Sequence, residues 1–336
     1  MNTNNNLSKL NRRDFLAGAG VIASIGVTGL SAVDKKDGTL SAVSESGYNI
    51  QKLGTVDAKW LKYEEIRSFP LNEAPLRIEI TQDEKIRIAS EKKIIELNLE
   101  GKIENQYTLS ETPKCFRTTA DGKLYIGYKG YIDVHDKTGK NLNRWTSFPK
   151  TAWFTAIDEA GGYIFAADCG NRLVYKINKE GAIISKFGES PSSKAKSIFI
   201  VPSPYFDLKC GKDGLLWIAN PGKRMIEAYT TNGEFVKSWG KSSFGVDGFC
   251  GCCNPSYFTI SSDGKFITSE KGLFRVKVYS PDGELEAVVG GMETFPEYYK
   301  NITPDIAPMD VAVDKNGKIY VADLIGKRVR VFKLKK

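Results

Sequence analysis

The densest chemistry in the chain is the run Phe249-Cys250-Gly251-Cys252-Cys253-Asn254-Pro255. Thiols packed this closely suit three uses. They pair as structural disulfides, they ligate a soft metal such as Cu(I), zinc or iron–sulfur, or the adjacent Cys252 and Cys253 cycle between dithiol and disulfide. The spacing matches neither paired CxxC zinc ligands nor ferredoxin runs. The repeat pattern described below brings Cys115 and Cys169 towards the same face and leaves Cys210 at the far end of its strand. The number of cysteines does not choose among the pairings.

A second set is ionisable. Arg77, Glu79, Arg117, Asp207, Lys209 and Asp310 recur at matching places in a repeated strand, beside the apolar column Ile78, Phe116, Leu208, Phe258 and Val311. Charges on strands this close to an axis require partners, because an unpaired buried charge is prohibitively costly. Two readings stand: a pocket for a polar or anionic ligand with Arg77 and Arg117 as its anion clamp, or a ring of self-satisfied ion pairs. Asp168, Asn171, Asn254, Glu270 and Lys271 form a third set on loops, where Glu270 and Lys271 offer an acid and a base or simply a solvated pair. With His135 as the single histidine, sites needing several imidazoles are excluded.

These residues need a scaffold, and the sequence is repetitive enough to define one. Of 336 residues 41% are hydrophobic and 26% charged, a globular composition, and 32 glycines favour short strands with tight turns. DGKLYIG (121–127), DGLLWIA (213–219), DGKFITS (263–269) and NGKIYVA (316–322) are one unit, a turn followed by an alternating strand. GGYIFAADCGNRLVYKINKEGA (161–182) fits the frame, as does QDEKIRIASEKKIIELNLEGK (82–102) with Glu84 in place of the turn glycine. Six units result, at the spacing of roughly 40–50 residues expected for propeller blades. Helical periodicity is absent.

The fold expected is therefore all-β, a six-bladed β-propeller that closes its edges into a ring. The sixth unit lacks an outer strand, and 63–70 reads as that strand, fastening the two ends of the ring together. Long loops at 188–204, 240–255 and 290–308 lead into inner strands on one face, where binding usually sits.

ADCGNRLVYKIN (167–178) and VADLIGKRVRVF (321–332) resemble NHL repeats, with that family's Asp…Arg-apolar pattern. The resemblance covers about 75–336, although blades one and two lack the Asp and Arg. It implies a scaffold commonly used as an interaction platform, and no single chemistry. Amidating propeller lyases use histidine-bound zinc, which one histidine cannot supply. Lactonase-like propellers hold calcium in the channel mouth, and Glu79, Asn254, Asp207 and Asp310 offer oxygen ligands of that kind in a different order.

At the N-terminus, Arg12-Arg13-Asp14-Phe15-Leu16 followed by an apolar, glycine-rich run resembles a twin-arginine export signal. Residues 1–33 are read as signal or anchor, 34–60 as a polar linker and 61–336 as the propeller, in a periplasmic or exported protein with a membrane tether through 15–33 if the signal is uncleaved. The net charge of +8 is scattered without a basic block, against nucleic-acid binding. The function expected is a binding module for a partner protein or small polar ligand. A redox or metal protein built on the cysteine loop and a calcium-dependent hydrolase are the alternatives.

Overall fold

A computed structural model describes residues 50–189, 197–300 and 306–336. The export motif and the apolar run 15–33 lie outside the described residues, as do parts of two lead-in loops. Among the described residues no helix is long and apolar enough to cross a membrane.

Six four-stranded antiparallel sheets form the ring. Blades 1 to 6 begin with the inner strands Arg77–Ile80, Cys115–Thr118, Phe154–Ala160, Leu208–Cys210, Tyr257–Ile260 and Asp310–Val313, and blades 1 to 5 then run outward in chain order. The first turn of each blade explains the repeated glycine. Gly122, Gly214, Gly264 and Gly317 sit at φ between 77° and 84°, where a Cβ is strained, and Glu84 accepts φ 60° in blade 1. Side chains close these turns, as where Thr81 Oγ1 accepts the Lys85 N–H at 2.9 Å.

The second turn serves packing between blades. A Cβ on Gly101, Gly139, Gly181, Gly233 or Gly283 would lie 2.0–2.5 Å from Phe69, Tyr107, Trp145, Phe187 or Trp239 respectively. Each aromatic ends the outer strand of one blade and covers the turn glycine of the next. The apolar core follows the same logic: its six clusters lie between neighbouring blades rather than at one centre.

Closure is as expected. The strand Tyr63–Pro70 is the outer strand of blade 6, antiparallel to Arg328–Leu334, with Arg330 Nη2 on Glu65 Oε2 at 2.6 Å. Part of the segment read as linker is ordered on the ring: the α-helix Ile50–Gly54 and the 3-10 turn Ala58–Trp60 flank buried Val56, and Gly54 lies under Tyr299.

Phe69 is the apolar clasp of this closure, buried between the last blade and Gly101 of the first. Phe69→Ala should cost about 3 to 5 kcal/mol in urea-induced unfolding. An unchanged midpoint and slope would show that the 63–70 strand does not close the ring.

Candidate functional site

The inner strands carry their carboxylates across the junctions between blades. Asp310 Oδ2 of blade 6 accepts the Ile78 N–H of blade 1 at 3.0 Å, and both oxygens of Glu79 lie 3.1 Å from the Thr118 nitrogen of blade 2. Asp158 Oδ2 of blade 3 accepts from Cys210 N of blade 4 at 2.8 Å, and Asp207 Oδ2 of blade 4 from Phe258 N of blade 5 at 2.9 Å. Between blades 2 and 3 the tie is ionic, with Arg117 Nε 2.8 Å from Asp158 Oδ1.

Arg77 reaches furthest. Its Nε lies 3.0 Å from Asp310 Oδ2 of the neighbouring blade, and its Nη2 3.5 Å from Asp207 Oδ1 of the blade opposite. Its guanidinium lies 4.2 Å from the centroid of the Tyr257 ring. Burial alone would lower the Arg77 pKa, but the carboxylate of Asp310, with Tyr257 and Asp207, outweighs it and holds the group charged. Burial raises the Asp310 carboxyl, against the pull of Arg77. Arg77 Nη1 is buried without a hydrogen-bond partner. Lys209 Nζ stands 4.0 Å from Asp207 Oδ1, and Arg117 Nη1 3.7 Å from Glu79 Oε2. The predicted channel residues Arg77, Glu79, Arg117, Asp207, Lys209 and Asp310 are thus brought together, engaged with one another.

The loop-face set divides. Asp168 is a fully buried turn anchor, accepting from Trp153 N, Gly170 N and Asn171 N at 2.8, 2.9 and 3.2 Å, with Asn171 Nδ2 at 2.6 Å. Asn254 ties the cysteine loop to the 270–275 turn: Oδ1 accepts Lys271 N at 2.7 Å, and Nδ2 donates to Cys250 O and Lys271 O at 2.6 and 2.9 Å. Glu270 and Lys271 do not act as neighbours. Glu270 is fully buried against Arg275 Nε at 2.6 Å and Lys277 Nζ at 3.3 Å, whereas Lys271 Nζ lies 3.4 Å from Tyr205 Oη. Burial lowers Lys277 to about 8, with Glu270 opposing.

The disulfides expected of the cysteines are not present: all six are free thiols. Cys115 is buried between blades 2 and 3, where burial pushes its thiol up to about 12, and burial does the same for Cys169. Cys250 is raised to about 11, again by burial. Cys252 and Cys253 do meet, with Sγ atoms 3.3 Å apart, and Ser203 Oγ donates to Cys253 Sγ at 2.7 Å. Among the described residues no three His, Cys, Asp or Glu side chains are grouped to hold a metal ion. Neither the soft-metal site nor the calcium set is assembled: Asp207 and Asp310 face Arg77, Glu79 faces Thr118, and Asn254 holds backbone on the loop.

Sequence reasoning missed Asp158, which completes the channel network. A bulge between Phe154 and Ala156 breaks the alternation that aligned the other blades. Arg275 and Lys277 were missed as partners of Glu270 because they come from the far side of a turn and the next strand.

Six radial sheets joined through charged inner strands define a six-bladed β-propeller. No known protein-family model matches the chain. It is 26% identical over 222 residues to the Homo sapiens protein NHL repeat-containing protein 3, covering 62% of this chain and 58% of that protein. The chain therefore spans less than two thirds of that relative's length. Similar solved structures include a streptogramin B lyase (TM-score 0.55, 16% identity, 83% of this chain and 100% of that one). Others are virginiamycin B lyase from Staphylococcus aureus (0.52, 17%, 81% and 99%) and the WD40 propeller domain of Doa1 (0.51, 12%, 82% and 97%). At these identities the likeness is one of fold. The repeats and the curated relative make this chain a β-propeller of the NHL-repeat type.

Replacing Arg77 by Met leaves the buried Asp207 and Asp310 without their shared cation, at a cost of about 3 to 5 kcal/mol at neutral pH. Asp310 already titrates above 3.8, and loss of Arg77 raises it further. A raised carboxyl keeps its proton in the folded state where the unfolded chain has lost it. The deficit is therefore full at neutral pH and shrinks as pH falls through the raised pKa. Urea unfolding of both proteins from neutral to acidic pH checks this, and a pH-independent deficit contradicts it.

Proposed function

We propose that this chain is a binding module that holds a partner protein on its loop face. The observation that carries the reading is a contrast between two surfaces. Channel charges are matched to one another, while the loops leading into blades 4 and 5 show Ile200 at 48% and Phe244 at 51% exposure. On the same face stand Lys129 over the Trp153 ring at 3.9 Å, Lys271 over the Tyr205 ring at 5.0 Å, and Arg224 bound to Gly251 O at 3.0 Å. None of these three cations has an ion-pair partner among the described residues. Apolar side chains beside cations and aromatic rings suit a partner surface that is apolar with acidic groups.

A small anionic ligand is the second reading, favoured by the buried, unpartnered Nη1 of Arg77. The fold likeness to lyases brings no lyase chemistry with it, since the one histidine, His135, is buried in blade 2 with Nδ1 on Gly139 O at 2.9 Å. Export to the periplasm or beyond, carried by 12–16 and the apolar run after it, belongs to the same proposal.

The test compares faces. Once a partner is in hand, Ile200→Asp combined with Lys271→Glu should weaken binding at least about tenfold, or 1.4 kcal/mol. Lys212→Glu, on the turns of the opposite face, should leave binding unchanged. Equal losses from both, or loss from Lys212→Glu alone, would move the site away from the loop face.

A further inference from the structure

The cysteine loop has an order that the binding reading does not use. Cys252 is exposed, while Cys253 behind it is partly buried. Their Sγ atoms are 3.3 Å apart, and Cys253 Sγ also receives the Ser203 hydroxyl at 2.7 Å. The loop is held in place from both sides: Asn254 binds Cys250 O and Lys271, and Arg224 Nε binds Gly251 O. Cys250 stands apart, partly buried on the side of Glu270 and Arg275. An accessible thiol with a second thiol in contact behind it is the arrangement of an attacking and a resolving cysteine.

We propose that Cys252 and Cys253 are a thiol–disulfide exchange site whose substrates are disulfides, with Cys252 attacking and Cys253 resolving. In the first step the Cys252 thiolate attacks one sulfur of R–S–S–R, forming a Cys252–S–S–R bond and releasing RS⁻. In the second, Cys253 gives its proton to solvent and attacks Cys252 Sγ, which forms the Cys252–Cys253 disulfide and releases the second RS⁻. The pair is oxidised by two electrons, and the substrate disulfide is reduced to two thiols.

Electrostatics agree with this division of labour. Donation from the Cys253 thiol, helped by Arg224 and Lys271, holds Cys252 below the ordinary thiol range and so favours its thiolate. Cys253 is pushed up, first by the same hydrogen bond to Cys252 and then by burial, and keeps its proton until Cys252 has reacted. The remaining thiols are raised by burial and stay protonated. The site shares Arg224 and Lys271 with the partner-binding surface, but its chemistry belongs to the two sulfurs and is tested without a partner.

The test uses the full chain, freshly reduced and freed of reductant, mixed with an aromatic disulfide whose released thione absorbs light, such as 4,4′-dithiodipyridine. The expected result is rapid release of two thiones per molecule, with no retained label and with four of the six thiols still free. Cys253→Ser should release one thione in the fast phase and retain a mixed disulfide on Cys252. Cys252→Ser should lose the fast phase. The fast rate should hold to lower pH than that of an ordinary thiol and fall as Cys252 is protonated. Circular dichroism of each variant verifies folding, and Cys250→Ser serves as a folded control that should behave as wild type. A stable mixed disulfide on the wild-type protein, a fast phase surviving Cys252→Ser, or a bond mapped to Cys250 would overturn the proposal. Oxidised glutathione and a disulfide-linked peptide, used in place of the aromatic reagent, distinguish small from protein substrates by their relative rates.

Discussion

The bond on which the rest of the structure depends is the one between an inner-strand carboxylate of one blade and a backbone N–H of the next. Inner strands of a propeller crowd round an axis, where each has a hydrogen-bonded neighbour on its outer side only. Their inward polar groups need partners, since an unsatisfied buried amide or carboxylate costs several kcal/mol. Asp310, Glu79, Asp158 and Asp207 meet that need across four junctions. A carboxylate in this place demands a cation, and Arg77 and Arg117 follow from it. Because Arg77 bridges blade 1 to both blade 6 and blade 4, it ties opposite sides of the ring.

Further out, the same junctions are sealed by aromatics over turn glycines and by six apolar clusters. The blades are thus wedges with polar tips and apolar flanks. Turns on one face stay short, and the chain length left over is placed in the loops that lead into blades 4, 5 and 6. A scaffold rigid at its centre and variable at one rim is suited to presenting a surface, and the exposed Ile200 and the cysteine loop both lie on that rim.

Most of the architecture was legible in the chain, because a turn needing positive φ, followed by alternating apolar residues, leaves the same mark each time it recurs. The closing strand at 63–70 was legible for a related reason: one unit was a strand short, and the ring had to be completed. Glu84 at φ 60° shows the conformation outlasting the glycine that usually signals it. What escaped the sequence was pairing through space. The alternation that lined up Arg77, Asp207 and Asp310 said nothing of which would touch, and the bulge after Phe154 hid Asp158. Glu270 beside Lys271 looked like a surface pair because its true partners, Arg275 and Lys277, arrive only after the turn. The thiols are a similar case. The export signal pointed first to disulfides, whereas burial and geometry leave Cys252 and Cys253 as the pair in contact.

The central claim is that the junction bonds around the axis hold the ring, and amide hydrogen exchange tests it most directly. If the carboxylates at these junctions are structural, the amides of Ile78, Thr118, Cys210 and Phe258 should exchange only through global unfolding, with the same dependence on denaturant as the unfolding transition itself. Exchange of these four amides by local opening, at rates indifferent to denaturant, would contradict the account and return the channel charges to the role of a free binding site.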